Sequence, residues 1–183
     1  IAGGIVGDGY ATTTVSNCSN YGSVNGASSL AGIIGNLQAG SVISCENHGV
    51  VTGTGNPVGG IVGKLASGKV QDSINKGNVK GQTKTGGVVG EGVGTIDNCE
   101  NHGQINDGSG WDIGGVAGFM TGDVINSRNY GTVKGSSNGT HVGGIVGSLI
   151  SGNVTNCTNE GLIDGFSWGA GGIVASVGNQ SSI

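Results

Sequence analysis

Proline is almost missing from this 183-residue chain, where Pro57 stands alone. Charged residues make up 10% and aromatics 4%, against about 25% charged in an average domain. No apolar run approaches the ~18 residues of a membrane-spanning helix. Each shortage excludes something. Collagen needs abundant proline and a glycine at every third position, and neither is present. Low charge together with 34% hydrophobic residues, chiefly Val, Ile and Ala, excludes a conventional disordered chain. The net charge of −4 leaves no basic footprint for nucleic acid. What the chain does have is 43 glycines and 18 asparagines. A helical bundle cannot carry glycine at that density, because each interior glycine costs about 1 kcal/mol against alanine.

The glycines are periodic. Gly-Gly-Ile-Val-Gly spans Gly3 to Gly7 and returns at Gly59 to Gly63 and Gly143 to Gly147. Close variants start at Ala31, Gly86, Gly114 and Gly171. The second residue of the motif falls at Gly4, Gly32, Gly60, Gly87, Gly115, Gly144 and Gly172, with spacings of 28, 28, 27, 28, 29 and 28. A second element keeps step with the first. Asn-x-Gly starts at Asn20, Asn47, Asn75, Asn101, Asn129 and Asn159. Five residues before each Asn stands Val or Ile, four after it stands Val or Ile, and two before it stands Cys or Ser.

A repeat of 28 residues with three short β-branched stretches bounded by glycine predicts one coil of a β-solenoid with three short strands. The expected fold is all-β, a single repeat domain of about six and a half coils. Their bounds fall near 1–29, 30–57, 58–84, 85–112, 113–141 and 142–169, with a partial coil over 170–183. Period two places Cys18, Asn20, Gly22 and Val24 inward and Ser19, Tyr21 and Ser23 outward. Coils about 4.8 Å apart stack like residues into ladders. Asn20, Asn47, Asn75, Asn101, Asn129 and Asn159 then form a structural amide ladder. The narrow interior predicts small inward residues. The chain opens in mid-motif at Ile1 and stops after a seventh Gly-Gly-Ile-Val. It therefore reads as a segment of a longer chain, with flanking domains, or as a subunit that stacks end to end with like rods.

The unit, a glycine pair, aliphatic residues and glycine followed by Val-x-x-Cys-x-Asn-x-Gly-x-Val-x-Gly, resembles the GLUG-motif repeats over essentially the whole chain. Gly-Ile-Val-Gly, as at Gly60 to Gly63, stands where that family has Gly-Leu-x-Gly. The resemblance implies a bacterial cell-surface or secreted protein, with an adhesive, spacer or accessory role. It includes the non-catalytic parts of immunoglobulin A1 peptidases and supplies no catalytic residues. The His-Glu-x-x-His of such a metallopeptidase is absent from this sequence.

The residues that could carry chemistry are few. Cys18, Cys45, Cys99 and Cys157 share one column without Cys-x-x-Cys spacing, so they read as buried thiols. Only Cys18 and Cys45 fall on adjacent coils, within disulfide range. His48 and His102 share an outward column two coils apart with Lys76 between them, too far for one metal ion, and His141 lies in another turn. Asp97, Asp107, Asp112 and Asp123 gather around coils four and five. They admit calcium at a turn, but no cofactor or metal is expected. Gly3 to Gly7 precedes neither Lys-Ser/Thr nor a helix, which excludes a phosphate loop. Trp111 and Trp168 each lie three residues before a glycine pair, with Phe166 nearby. A thin solenoid cannot bury them, so they are either contacts for a glycan or protein ligand on one edge or a local cover over a turn. The expectation is a non-catalytic structural or adhesive rod, extracellular or at the bacterial surface, without membrane insertion. The alternative is a carbohydrate-active or ice-binding β-helix.

Overall fold

In the computed structural model the chain is described over residues 1–107, 110–136, 141–165 and 169–183. It is a β-solenoid, without helix among the described residues. Every pairing is parallel, and partners lie 26 to 30 residues apart, as in Asn75↔Asn101 and Val124↔Val154. Backbone N–H groups of one coil donate to carbonyls of the next, as in Val62 N to Val88 O at 2.9 Å. Each coil therefore satisfies its main chain largely through its neighbours.

Coils one to five each contain five strand segments rather than three. In the second coil they are Leu30–Ala31, Ile34–Leu37, Gly40–Ile43, Glu46–Asn47 and Val51–Gly53. The first and fourth segments are two residues long. They are too short to leave an apolar signature, and the fourth carries Asn inward where a hydrophobe would have marked it. The first, fourth and fifth segments each stack into a sheet of their own. The second and third belong to one path because Val146–Thr155 runs through both as a ten-residue strand.

The cross-section has two apolar lobes. The larger is lined by Ile33, Ile34, Leu37, Val42 and Cys45 and their equivalents, such as Ile61, Val62, Leu65 and Val70. The smaller holds Leu30, Val58, Ile113 and Val142 against Val24, Val51, Val79 and Ile105. Ile33 and Ile34 are consecutive, yet both are fully buried. Period-two alternation fails there because the chain bends around the larger lobe at the Ile-Val pair. The interior is also roomier than the glycine content implies, since Leu30, Leu37, Leu65 and Met120 are fully buried. Dividing the core into two lobes makes room for them.

Between the lobes lies a waist where the Asn column meets the second glycine of each pair. A Cβ on Gly60 would lie 2.3 Å from Cγ of Asn75 and 2.1 Å from the carbonyl oxygen of Gly87. No side chain fits, which is why this column is glycine. A second backbone rule runs along another column. Asn17, Ser44, Asp72, Asn98, Asn126 and Asn156 all adopt φ between 51° and 54°. The left-handed region is tolerated best by Asn and Asp among non-glycine residues, and this column opens every turn into the fourth segment.

Candidate surface sites along the rod

The asparagine ladder is continuous from coil one to coil six. Asn75 Nδ2 donates to Asn101 Oδ1 at 2.8 Å and to the carbonyl of Gly77 at 2.8 Å. Asn47 Nδ2 donates to Asn75 Oδ1 at 2.9 Å. The same axial bonds link Asn20 to Asn47, Asn101 to Asn129 and Asn129 to Asn159. Asn47, Asn75, Asn101 and Asn129 are fully buried. From Asn20 to Asn129 each amide holds its own Asn-x-Gly turn and the next coil at once, so this buried column is a structural element.

Flanking it on the outside are two columns of side chains. Tyr21, His48, Lys76, His102 and Tyr130 follow one another up the rod. Tyr21 stacks on His48 with centroids 4.4 Å apart, and His102 stacks on Tyr130 at 4.6 Å. In the companion column Glu46 Oε2 lies 2.8 Å from His48 Nε2 and 2.7 Å from Lys76 Nζ. The hydrogen bonds from Lys76 and then His48 hold the Glu46 carboxyl below its usual range. Glu100 meets His102 at 2.9 Å. The ring faces are turned along the rod and used on one another.

The four cysteines are free. Cys45 and Cys99 are buried, and Cys18 and Cys157 are partly so. Burial pushes the Cys99 thiol up to about 12 from an ordinary 9.0, so it is neutral and unreactive in the fold. Ser73 and Ser127 replace cysteine in this column and cap the chain below, since Cys45 N donates to Ser73 Oγ at 3.1 Å and Cys99 N to Ser127 Oγ at 3.2 Å.

On the other side of the waist, first and second segments meet in a backbone seam. A Cβ on Gly118 would lie 2.5 Å from Thr85 N, and one on Gly147 would lie 2.5 Å from Ile113 N. Two outward columns border this seam. One holds Lys84, Asp112 and His141, each just before the inward residue of a first segment, and the other Glu91, Phe119 and Ser148. Lys84 Nζ bonds Glu91 Oε1 at 2.8 Å and sits 4.5 Å from the centroid of Phe119. Asp112 Oδ1 accepts from the hydroxyl of Ser148 and lies 3.0 Å from His141 Nδ1. Ser148 Oγ is 3.2 Å from the same His141 nitrogen.

The acids around coils four and five do not converge. Asp112 lies on the seam, Asp97 accepts from Asn126 Nδ2 and Asp123 from Asn153 Nδ2. The side chain of Asp107 lies outside the described residues. Among the described residues no three His, Cys, Asp or Glu side chains gather closely enough to hold a metal ion, and no helix is long and apolar enough to cross a membrane. Trp111 is 54% exposed, immediately before Asp112. Phe166 and Trp168 lie outside the described residues. The seam cluster was missed in sequence because its members are far apart in the chain. The signal that could have found it is departure from the repeat: at the positions of Asp112 and His141 the earlier coils have Ser29 and Pro57.

Residues 138–163 match the family model of the GLUG motif. That stretch contains Gly143, Gly144, Val154, Cys157, Asn159, Gly161 and Ile163, the marks of one complete repeat. Residues 138–163 carry the GLUG motif, and the same spacing of glycine pair and Asn-x-Gly recurs along the chain. In structural terms the GLUG motif is one turn of this solenoid, with its glycine pair and its Asn brought together at the waist. No curated protein and no solved structure matches the chain.

Proposed function

We propose that this GLUG solenoid is a non-catalytic structural and adhesive rod of a bacterial cell-surface or secreted protein, working outside the cell without a cofactor. The observation that carries the reading is the unbroken asparagine ladder, which ties coil to coil along the axis. A molecule tied from coil to coil by buried bonds along its length resists extension and sets a distance. Length, rather than a central cavity, is what such a chain varies by adding coils. Flanking domains or like rods joined end to end are its expected neighbours, and a glycan or protein its expected ligand.

The wiring of the seam supports a non-catalytic reading over a hydrolase. Asp112, His141 and Ser148 are the residue types of a nucleophile, base and acid. A relay needs the serine and the carboxylate on opposite nitrogens of the imidazole. Here both lie against Nδ1, and Ser148 donates to Asp112. An ice-binding face would need a flat outward ladder of Thr, whereas the outward columns mix Tyr, His, Lys, Glu and Asp.

Two measurements test the proposal. Antibody against the rod should label intact producing cells or their medium, and labelling only after lysis would refute the surface reading. Removing one internal coil, residues 58–84, should shorten the rod by about 4.8 Å in solution scattering and lower its melting temperature without loss of strand content. A variant that unfolds outright would show a closed domain rather than an extensible repeat.

A further inference from the structure

We propose that Cys18 and Cys45 form a reversible disulfide site that ties coil one to coil two, closed by exchange with a low-molecular-weight disulfide. The inference goes beyond the rod reading and does not depend on it.

Register brings the two residues together. Ser19 pairs with Glu46 and Asn20 with Asn47 in parallel. The residues one step before them, Cys18 and Cys45, are therefore level on adjacent coils. Glu46 N donates to the carbonyl of Cys18 at 2.9 Å and holds that step. Adjacent strands lie about 4.7–4.9 Å apart, and a disulfide spans Cα separations of about 4.4–6.8 Å. The bond needs side-chain rotation and no new path for the main chain. The sulfurs also lie in matching positions. Cys18 Sγ donates to the carbonyl of Ser16 at 3.2 Å, and Cys45 Sγ to that of Ile43 at 3.4 Å. Cys45 Sγ also lies 3.6 Å from the carbonyl oxygen of Val15, on the coil that carries Cys18. Burial chiefly pushes the Cys45 thiol up, and Cys18 supplies the next largest effects on it.

No other cysteines in the column are neighbours. Ser73 stands between Cys45 and Cys99, and Ser127 between Cys99 and Cys157. Those serines cap the chain below, as Ser73 Oγ does for Cys45 N. At the step from coil one to coil two a sulfur stands in that place, and sulfur is a weak acceptor. Closing the bond there gives up no hydroxyl cap.

Access sets the order of events. Cys18 is partly buried and Cys45 fully buried, so Cys18 is the entry. Its thiolate attacks one sulfur of the small disulfide and releases a thiolate, leaving a mixed disulfide on Cys18. The Cys45 thiolate then attacks the Cys18 sulfur and releases the second thiolate. The two thiol protons pass to the two released thiolates. The cysteine pair loses two electrons and the small disulfide gains them. Excess small thiol runs the same steps backward and reopens the bond.

The test uses the full chain, first reduced and then equilibrated with oxidised glutathione. Remaining thiols are alkylated after unfolding. Peptide mass spectrometry should show Cys18 joined to Cys45, with Cys99 and Cys157 alkylated. The melting temperature should rise by about 5–10 °C over the reduced chain and fall back on reduction. Cys45→Ser should hold one glutathione on Cys18 without that rise, and Cys18→Ser should show neither. Serine already occupies this column at Ser73 and Ser127, and should a variant fail to fold, the linkage in the parent still decides. Four alkylated cysteines in the parent, glutathione retained on its Cys18, or a Cys18 bond between two chains would each overturn the site.

Discussion

The side-chain amide of Asn75 lies directly against the bare α-carbon of Gly60. A single methyl group there would come within 2.3 Å of the amide carbon. The same contact joins Asn47 to Gly32, Asn101 to Gly87 and Asn129 to Gly115. Two motifs that are merely in phase along the chain are thus the two halves of one joint.

Gly60→Ala should therefore destabilise the rod strongly, by about 1–3 kcal/mol or more, because the methyl group meets both an amide and a carbonyl that cannot retreat. Gly7→Ala is the control, since a Cβ there meets nothing within 4 Å. Chemical denaturation of both variants should separate their midpoints widely. Coincident midpoints would mean that the waist is not a tight contact.

Asn75→Ala should cost about 1–3 kcal/mol, because it orphans the amide of Asn47 on one side and the carbonyl of Gly77 on the other. Lys76→Ala should be near neutral, since its pair with Glu46 is exposed and such pairs are worth about 0–1 kcal/mol. Thermal melts that show equal losses for the two would contradict the inward ladder.

Thr85→Val should be neutral or stabilising by about 1 kcal/mol. Thr85 is fully buried among Val58 and Ile113, and its hydroxyl has no hydrogen-bond partner. An isosteric methyl removes that cost. A clear fall in melting temperature for the valine variant would reveal a partner for the hydroxyl.

Alkaline pH should weaken the fold partly through Cys99. Its thiol is neutral in the fold up to about 12, whereas in the unfolded chain it ionises near its ordinary 9.0. The contribution is fully present below that value and declines as pH rises toward 12. Cys99→Ser should lose less stability than the parent between those limits, measured by denaturation at pH 7 and pH 10.5. Native thiol labelling at pH 8 should reach Cys18 and Cys157 before Cys99. Immediate labelling of Cys99 would contradict its burial.

The 28-residue period was enough to dictate the solenoid, because an in-register stack turns it into columns of like residues. Val42, Val70 and Ile96 could be assigned to the core from their recurrence alone. It also placed Asn75 inward and Lys76 outward, since neighbouring strand residues face opposite ways. Tertiary structure decided everything that depends on contact between columns. The waist joining Asn75 to Gly60, the two separate lobes and the two extra strand segments of each coil arise from how the chain closes on itself across a coil. The seam cluster of Asp112, His141 and Ser148 is the clearest case. Its members are up to 36 residues apart, and they meet because one bordering column comes from first segments and the other from second segments. Periodicity reports what recurs along one column, and only the cross-section shows which columns touch.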